Sequence, residues 1–452
     1  MGDIVKEIIR VKSIHIENIK NVSNGSIRFP DYSDQNEITS NIIGLYGQNG
    51  SGKTAVVNAL RIIQSLFSGQ TFASFLPLMQ TGKLYYSIDF EFNIYTEEKI
   101  INVNYFFKYN KLGGFEEKIT YKSDNEKSVV SINDETFYAN KVFSPNVRHE
   151  DFGVTTSQLM MEYLTQRKYN REKVKSSFFF DKEFSKTIIK NLKDQYFKLI
   201  ITLMPTYAKK NFFVVENARN ANLIASILMP IGLSFMDTKG EESYVDNHFS
   251  SGLNQCNENL MKAIKQGIDN INTIITTLIP NFKIDINIFK EIASPFGDKV
   301  FQFELYATRD KMSFPLALES DGVKKLISIT SCLIHMYNHE NVFLVIDELD
   351  SGIYEYLIGE LLQVLEEGGK GQLLFTSHNL RPLEILQPSD IWFATSNPEN
   401  RYIQFTGIKP NHNLRSMYYR TIRLGGQAEE LYSETDQYKI RMAFAKAAIK
   451  NE

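Results

Sequence analysis

Gly47-Gln48-Asn49-Gly50-Ser51-Gly52-Lys53-Thr54 fits the spacing G-x-x-x-x-G-K-[ST]. Glycines at these places let successive backbone N–H groups turn inward around a phosphate, and a helix that starts at the end of the loop adds its positive pole. In such a loop Lys53 reaches the β- and γ-phosphates of a nucleotide and Thr54 offers its hydroxyl to Mg2+. A second group is Asp347-Glu348, two carboxylates placed directly after the apolar run Phe343-Leu344-Val345-Ile346. At the C-terminal end of a parallel strand, Asp347 would hold Mg2+ through water and Glu348 would polarise the attacking water as a general base. A third is His378, which closes the run Leu373-Leu374-Phe375-Thr376-Ser377-His378, 30 residues beyond Glu348. An imidazole beside a γ-phosphate is placed to sense it.

These groups need elements to hold them. The compact apolar run Asn41 to Tyr46, stopped by Gly47, predicts a buried parallel strand feeding the glycine-rich loop, and Val56, Leu60, Ile63 and Phe67 share one face of a helix after it. A helix over Tyr354 to Leu365 between two apolar runs predicts a βαβ unit that sets His378 beside Glu348. Val11 to Ile19 and Ser26 to Phe29 read as a strand pair at a sheet edge, and Lys83 to Asn133 as an aromatic antiparallel meander with Gly113-Gly114 at a turn. From 147 to 280 the expectation is a mostly helical insertion, carried by Leu260, Ile264, Ile268, Ile271, Ile275 and Leu278, with strands resuming at Phe282 to Ile288 and Val300 to Tyr306.

The 452 residues exceed what one small core organises, and 50 Lys+Arg against 53 Asp+Glu exclude a polybasic protein. No apolar run reaches the length of a membrane helix, and Met1 to Ile9 lacks the apolar middle of a signal peptide. With 2 Cys, Cys256 and Cys332, no disulfide framework is expected, so the sequence reads as a soluble protein of a reducing cytoplasm with no membrane partner.

Lys53 and Asp347 stand 294 residues apart. The order of P-loop, long insertion, Ser320-Asp321-Gly322, acidic strand and Ser377-His378 resembles the ABC-type ATPase heads of the SMC, RecF and OLD relatives. Within that AAA-family group it is similar to stand-alone ATPase subunits of bacterial anti-phage and abortive-infection systems of Septu and PARIS type. The resemblance covers about Ile9 to Asn140 and Phe282 to Asn397. It implies an α/β P-loop NTPase of ABC-ATPase head type with an antiparallel β subdomain, using ATP and Mg2+ as a dimeric switch. Glu348 and His378 would then be catalytic, Thr54 and Asp347 would hold the metal, and residues 47–54 would bind ATP. Ser320 and Gly322 would close over the ATP of a second protomer, in a signature that keeps only the Ser-x-Gly core of LSGGQ. Asp350-Ser351-Gly352 resembles the D-loop that crosses the dimer interface.

The implied organisation is an N-terminal half of the head over 1–146, the insertion over 147–280, a C-terminal half over 281–397 and a tail over 398–452. The resemblance implies a homodimer or higher oligomer of heads. Only 55 residues follow Asn397 and they hold no metal-binding carboxylate set, so a nuclease or toxin activity would belong to a separate effector protein. Arg415, Arg420 and Arg423, interleaved with Tyr418 and Tyr419, suit a protein contact better than nucleic acid. His149-Glu150-Asp151 is metal-like in composition and reads as a solvated turn. The function expected is the sensor or regulator of a defence complex. The alternative is a RecF- or SMC-like ATPase of DNA repair or chromosome maintenance that clamps DNA, against which stand the absence of a heptad arm and the dispersed cations.

Overall fold

The computed structural model describes residues 7–30, 39–112, 114–123, 126–133, 175–183, 186, 189, 192, 194–216, 228–236, 242–250, 252–293, 299–406, 413–432 and 435–449. The first strands, β1 (Ile8–Ile19) and β2 (Val22–Arg28), pair antiparallel, followed by β3 (Asn41–Tyr46) and helix α1 (Lys53–Phe67). The meander is β4 (Tyr85–Tyr95), β5 (Ile100–Asn110), β6 (Phe115–Ser123) and β7 (Glu126–Asn133). With β1 and β2 it forms one antiparallel sheet in the order β2-β1-β4-β5-β6-β7, which puts the predicted edge pair at an edge.

After the meander come α2 (Gln195–Lys210), β8 (Phe212–Val215), β9 (Leu228–Met236), β10 (Glu242–Ser250), β11 (Asn254–Asn257) and α3 (Glu258–Leu278). The helical expectation for 147–280 therefore describes α2 and α3 but misses four strands. Of these, β8 is an edge strand of the parallel sheet, hydrogen-bonded to the strand that carries Asp347. Phe212-Phe213-Val214-Val215 is too short an apolar run for periodicity to separate from a helix turn. His149, Glu150 and Asp151 lie outside the described residues.

The C-terminal half begins with β12 (Phe282–Ala293), β13 (Lys299–Arg309) and β14 (Met312–Pro315), and continues through α4 (Asp321–Asn338), β15 (Phe343–Ile346), α5 (Glu355–Gly368), β16 (Gln372–Thr376), β17 (Ile391–Ala394) and β18 (Tyr402–Ile403). Helices α6 (Leu414–Leu424) and α7 (Gln437–Ile449) complete the chain. The second main sheet runs β18-β17-β3-β16-β15-β8 and is parallel except for β18. Because β18 is part of that sheet, the tail expected from 398 starts inside the head.

Side chains of a strand alternate faces, and both faces of this parallel sheet are covered. Ile43, Leu45, Phe343, Val345 and Leu374 join one apolar cluster with α1 and the antiparallel sheet. Ile42, Tyr46, Leu344, Ile346, Leu373 and Phe375 join a second with α3, α4 and α5. Helix α1 is thus clamped between two sheets, and its last residue, Phe67, meets the rings of Phe90, Phe92, Tyr105 and Phe180 at centroid distances of 5.9, 6.0, 5.0 and 5.0 Å. No helix among the described residues is long and apolar enough to cross a membrane.

Candidate nucleotide-binding site

The loop 47–54 joins β3 to α1 at the C-terminal edge of the parallel sheet. Gly52 sits at φ 97°, where a side chain would be strained, and a Cβ there would lie 2.7 Å from Val22 Cγ2. Lys53 is buried, and its ammonium donates to the carbonyls of Gly47 (2.7 Å) and Gln48 (3.2 Å). The loop's own backbone thus holds the amine at the centre of the cradle. The Ser51 hydroxyl is buried and has no hydrogen-bond partner among the described residues, an orphaned polar atom of the kind a ligand oxygen satisfies. Thr54 stands half-buried in the first turn of α1, while Asn49 and Gly50 face solvent.

β16 lies next to β3 and β15 next to β16, both in parallel register, so the ends of the three strands converge. Asp347 is buried and accepts a hydrogen bond from Thr376 Oγ1 at 2.7 Å. That same hydroxyl oxygen accepts the Glu348 N–H at 2.7 Å. Glu348 has φ 49°, a left-handed conformation that is costly for a residue with a side chain and that persists only where surroundings impose it. Thr376 imposes it from the neighbouring strand. Lys325, from α4, donates to the Glu348 carbonyl.

His378 is exposed. Its backbone N–H and that of Asn379 both donate to Asp350, at 3.2 and 3.0 Å to Oδ2, so the D-loop-like carboxylate fixes the turn that carries the imidazole. Partial burial and the Lys53 charge push its pKa below the ordinary histidine value, against the pull of Asp350, Glu348 and Asp347. Burial likewise lowers Lys53, and the same three carboxylates oppose it. Lys325 is almost fully buried, and desolvation lowers its pKa to about 8 despite Asp350, Glu348 and Asp347. Lys53, Asp347, Glu348 and His378 therefore share one electrostatic neighbourhood.

Ser320 and Gly322 occupy a different place. Ser320 is exposed and caps α4, its hydroxyl accepting the Val323 N–H at 3.4 Å, while Gly322 packs on the loop 350–352. A Cβ on Gly322 would fall 1.8 Å from the Gly352 carbonyl oxygen, so only glycine allows this backbone approach.

Four residues at the site escaped sequence reasoning. Thr376 and Lys325 carry no local pattern, since their partners come from another strand or helix. Arg401 and Tyr402 brace the loop from outside: Tyr402 donates to the Gly52 carbonyl at 2.7 Å, and the Arg401 guanidinium donates to Asn21 O and Thr395 O, each at 2.6 Å. Their signal is the pair Tyr402-Ile403 after Arg401, which is too brief to separate from a tail.

The arrangement suits a phosphate cradle with one buried carboxylate, Asp347, near it. Mg2+ is ordinarily held by one or two protein oxygens together with phosphates and water, which Thr54 and Asp347 could supply. Among the described residues no group of three His, Cys, Asp or Glu is set to hold a metal by itself.

Residues 42–384 match the family described as "AAA domain, putative AbiEii toxin, Type IV TA system". No curated protein matches the chain. Among solved structures, an SMC head bound to the C-terminal winged-helix domain of ScpA is 11% identical, over 87% of this chain and 97% of that one, with a TM-score of 0.43. The SMC head domain from Thermotoga maritima is 15% identical over 88% and 99%, with a TM-score of 0.36. The recombination mediator protein RecF of the RecFOR pathway is 12% identical over 82% and 94%, with a TM-score of 0.34.

Proposed function

The chain belongs to that AAA domain family, and on this footing we propose that it binds ATP with Mg2+ and hydrolyses it as a nucleotide-dependent dimeric switch. The observation that supports this best is the meeting of Lys53, Asp347, Glu348 and His378 at the converging ends of three adjacent parallel strands. In this reading the backbone of 47–54 and Lys53 bind the phosphates, and Thr54 and Asp347 hold Mg2+. Glu348 takes the proton of the attacking water, and His378 reads the γ-phosphate. Lys325 and Thr376 are positioning residues, because they act on Glu348 and Asp347. Ser320, exposed, and Gly322, half-buried against the loop 350–352, would in this reading meet the nucleotide of a second copy rather than their own. Hydrolysis would release the paired heads, so ATP would set the lifetime of a closed state.

We further propose a role as the sensor or regulator of a bacterial defence complex with a separate effector protein; the family description supports only the link to a toxin–antitoxin type of system. Such a role suits a soluble, cytoplasmic protein. In this reading 1–146 and 281–397 together with β18 form the head, 147–280 the insertion and the rest of 398–452 the tail.

The test compares wild type, Lys53→Ala and Glu348→Gln for nucleotide binding, phosphate release and sedimentation. Lys53→Ala should lose ATP binding. Glu348→Gln should keep it, lose turnover by about 100-fold or more, and self-associate more tightly with ATP and Mg2+ than without them. Equal loss of binding in both variants, or no phosphate release by wild type, would overturn the assignment.

A further inference from the structure

Helix α7 is a physical anomaly. Every residue from Gln437 to Ala447 is exposed, including Phe444 at 77% and Tyr438 at 68%. A 13-residue helix is marginal in water without tertiary packing, and this one carries apolar residues around its whole circumference. It also contains Lys439, Arg441 and Lys446 and no acidic residue. On a helical wheel Tyr438, Met442 and Ala445 form one stripe, flanked by Lys439 and Lys446 on one side and Arg441 on the other. Its cover should therefore be apolar and acidic.

Such a surface exists on this chain. Helix α5 carries Glu360, Glu366 and Glu367 and no basic residue, while its Glu355 is already paired with Arg415 at 3.7 Å. Its outer face runs Tyr356, Glu360, Val364 and Glu367, all exposed, with Tyr356 at 56% and Val364 at 55%. Glu366 and Glu367 stand at the C-terminal end of the helix, where the backbone dipole is already negative. Crowding follows: burial first, then the charges of Asp390 and Glu367, raise the Glu366 carboxyl above its ordinary range. An incoming cation offsets the charges of Asp390 and Glu367 and the negative end of the helix. Both faces are about four turns long.

The anchoring of the tail decides which copy is reached. Up to Leu431 the chain is tied to its own head, with Glu430 O accepting the Ser396 N–H at 2.7 Å and Glu429 accepting from Asn397 and Asn400 at 3.0 and 2.9 Å. These contacts follow β17, so α7 leaves from the same end of the parallel sheet as the loop 47–54. That is the end the proposed dimer shares, and to that extent this step rests on the proposed function; the charge argument does not. We propose that α7 of one copy lies along the outer face of α5 in a second copy of this chain. A chain bearing both halves of a contact makes it twice around a two-fold axis.

The test is made without nucleotide, on the full chain and in the Lys53→Ala background as well, so failure of the ATP reading leaves it intact. Wild type should assemble. The triple variant Lys439→Glu, Arg441→Glu, Lys446→Glu and the double variant Glu360→Lys, Glu367→Lys should each weaken self-association by about tenfold or more in sedimentation equilibrium. Mixing the two should restore association between them. Met442→Cys on one copy and Val364→Cys on another should form a disulfide-linked dimer, Cys256 and Cys332 being buried. A nucleotide-free wild type that stays monomeric would overturn the proposal. So would a Met442→Cys, Val364→Cys double variant that closes only within one chain, or charge variants whose association matches wild type.

Discussion

The carboxyl end of the parallel sheet and the antiparallel sheet above α1 sit in one molecule and are stabilised in opposite ways. Against the antiparallel sheet, Phe67 of α1 meets Phe90, Phe92 and Tyr105, and Phe72 meets Phe107 and Phe115, all edge to face, and the fold gains from burying apolar area. At the parallel sheet's end the buried groups are Lys53, Lys325, Asp347 and Thr376, each costly to desolvate and each held by a named partner. The first region makes stability, while the second stores polar groups against water for use. A substitution in the first should therefore cost folding, and one in the second should cost chemistry.

The largest effect expected from this contrast is on stability. Phe67→Ala removes a ring that touches four others, and should destabilise the fold by about 3–5 kcal/mol, read as a lower midpoint in urea unfolding. Below the unfolding transition its ATP affinity should stay within a few-fold of wild type. If affinity and stability fall together, the two regions are one cooperative device and the contrast is broken.

Thr376→Val sharpens it from the other side. The shape is kept, but Asp347 loses a donor and the Glu348 N–H loses its acceptor. Stability should drop by about 1–3 kcal/mol, the cost of leaving buried polar groups unpaired. ATP turnover should fall by about tenfold or more with nucleotide binding retained, because the left-handed Glu348 is no longer imposed. Turnover equal to wild type would remove Thr376 from the positioning role.

The same contrast explains what was legible in the sequence. Alternation and apolar runs located β1 to β6, β15 and β16, since a sheet buried on one or both faces writes its period into the chain. The phosphate loop was legible because a tight anion cradle needs glycines in a short local order. Thr376, Lys325, Arg401 and Tyr402 were not, because their meaning lies in partners far along the chain; the Tyr402 bond to Gly52 spans 350 residues. β8 was lost for a third reason: four apolar residues between a helix and a polar stretch look alike in strand and helix.

A last effect has opposite signs in the two regions, which makes it the most discriminating. Lys325 has its pKa lowered from 10.5 to about 8 in the folded chain. Between those values the unfolded chain still binds the proton that the folded chain has shed, so this group makes stability rise with pH across about 8 to 10.5. Buried Tyr86 and Tyr105 have pKa values raised well above 10.0, by burial first. The unfolded chain loses their protons above pH 10 while the folded chain keeps them, so they make stability fall there. Urea unfolding of wild type and Lys325→Met from pH 7.5 to 10 isolates the first term. The stability difference, wild type minus variant, should grow by up to about 3 kcal/mol over that range, at about 1.4 kcal/mol for each pH unit once Lys325 titrates. Tyr86→Phe should leave that rise in place and lessen only the decline above pH 10. A difference that stays flat from pH 7.5 to 10 would mean that Lys325 keeps an ordinary ammonium, and that the sheet's polar end is wetter than its buried groups indicate.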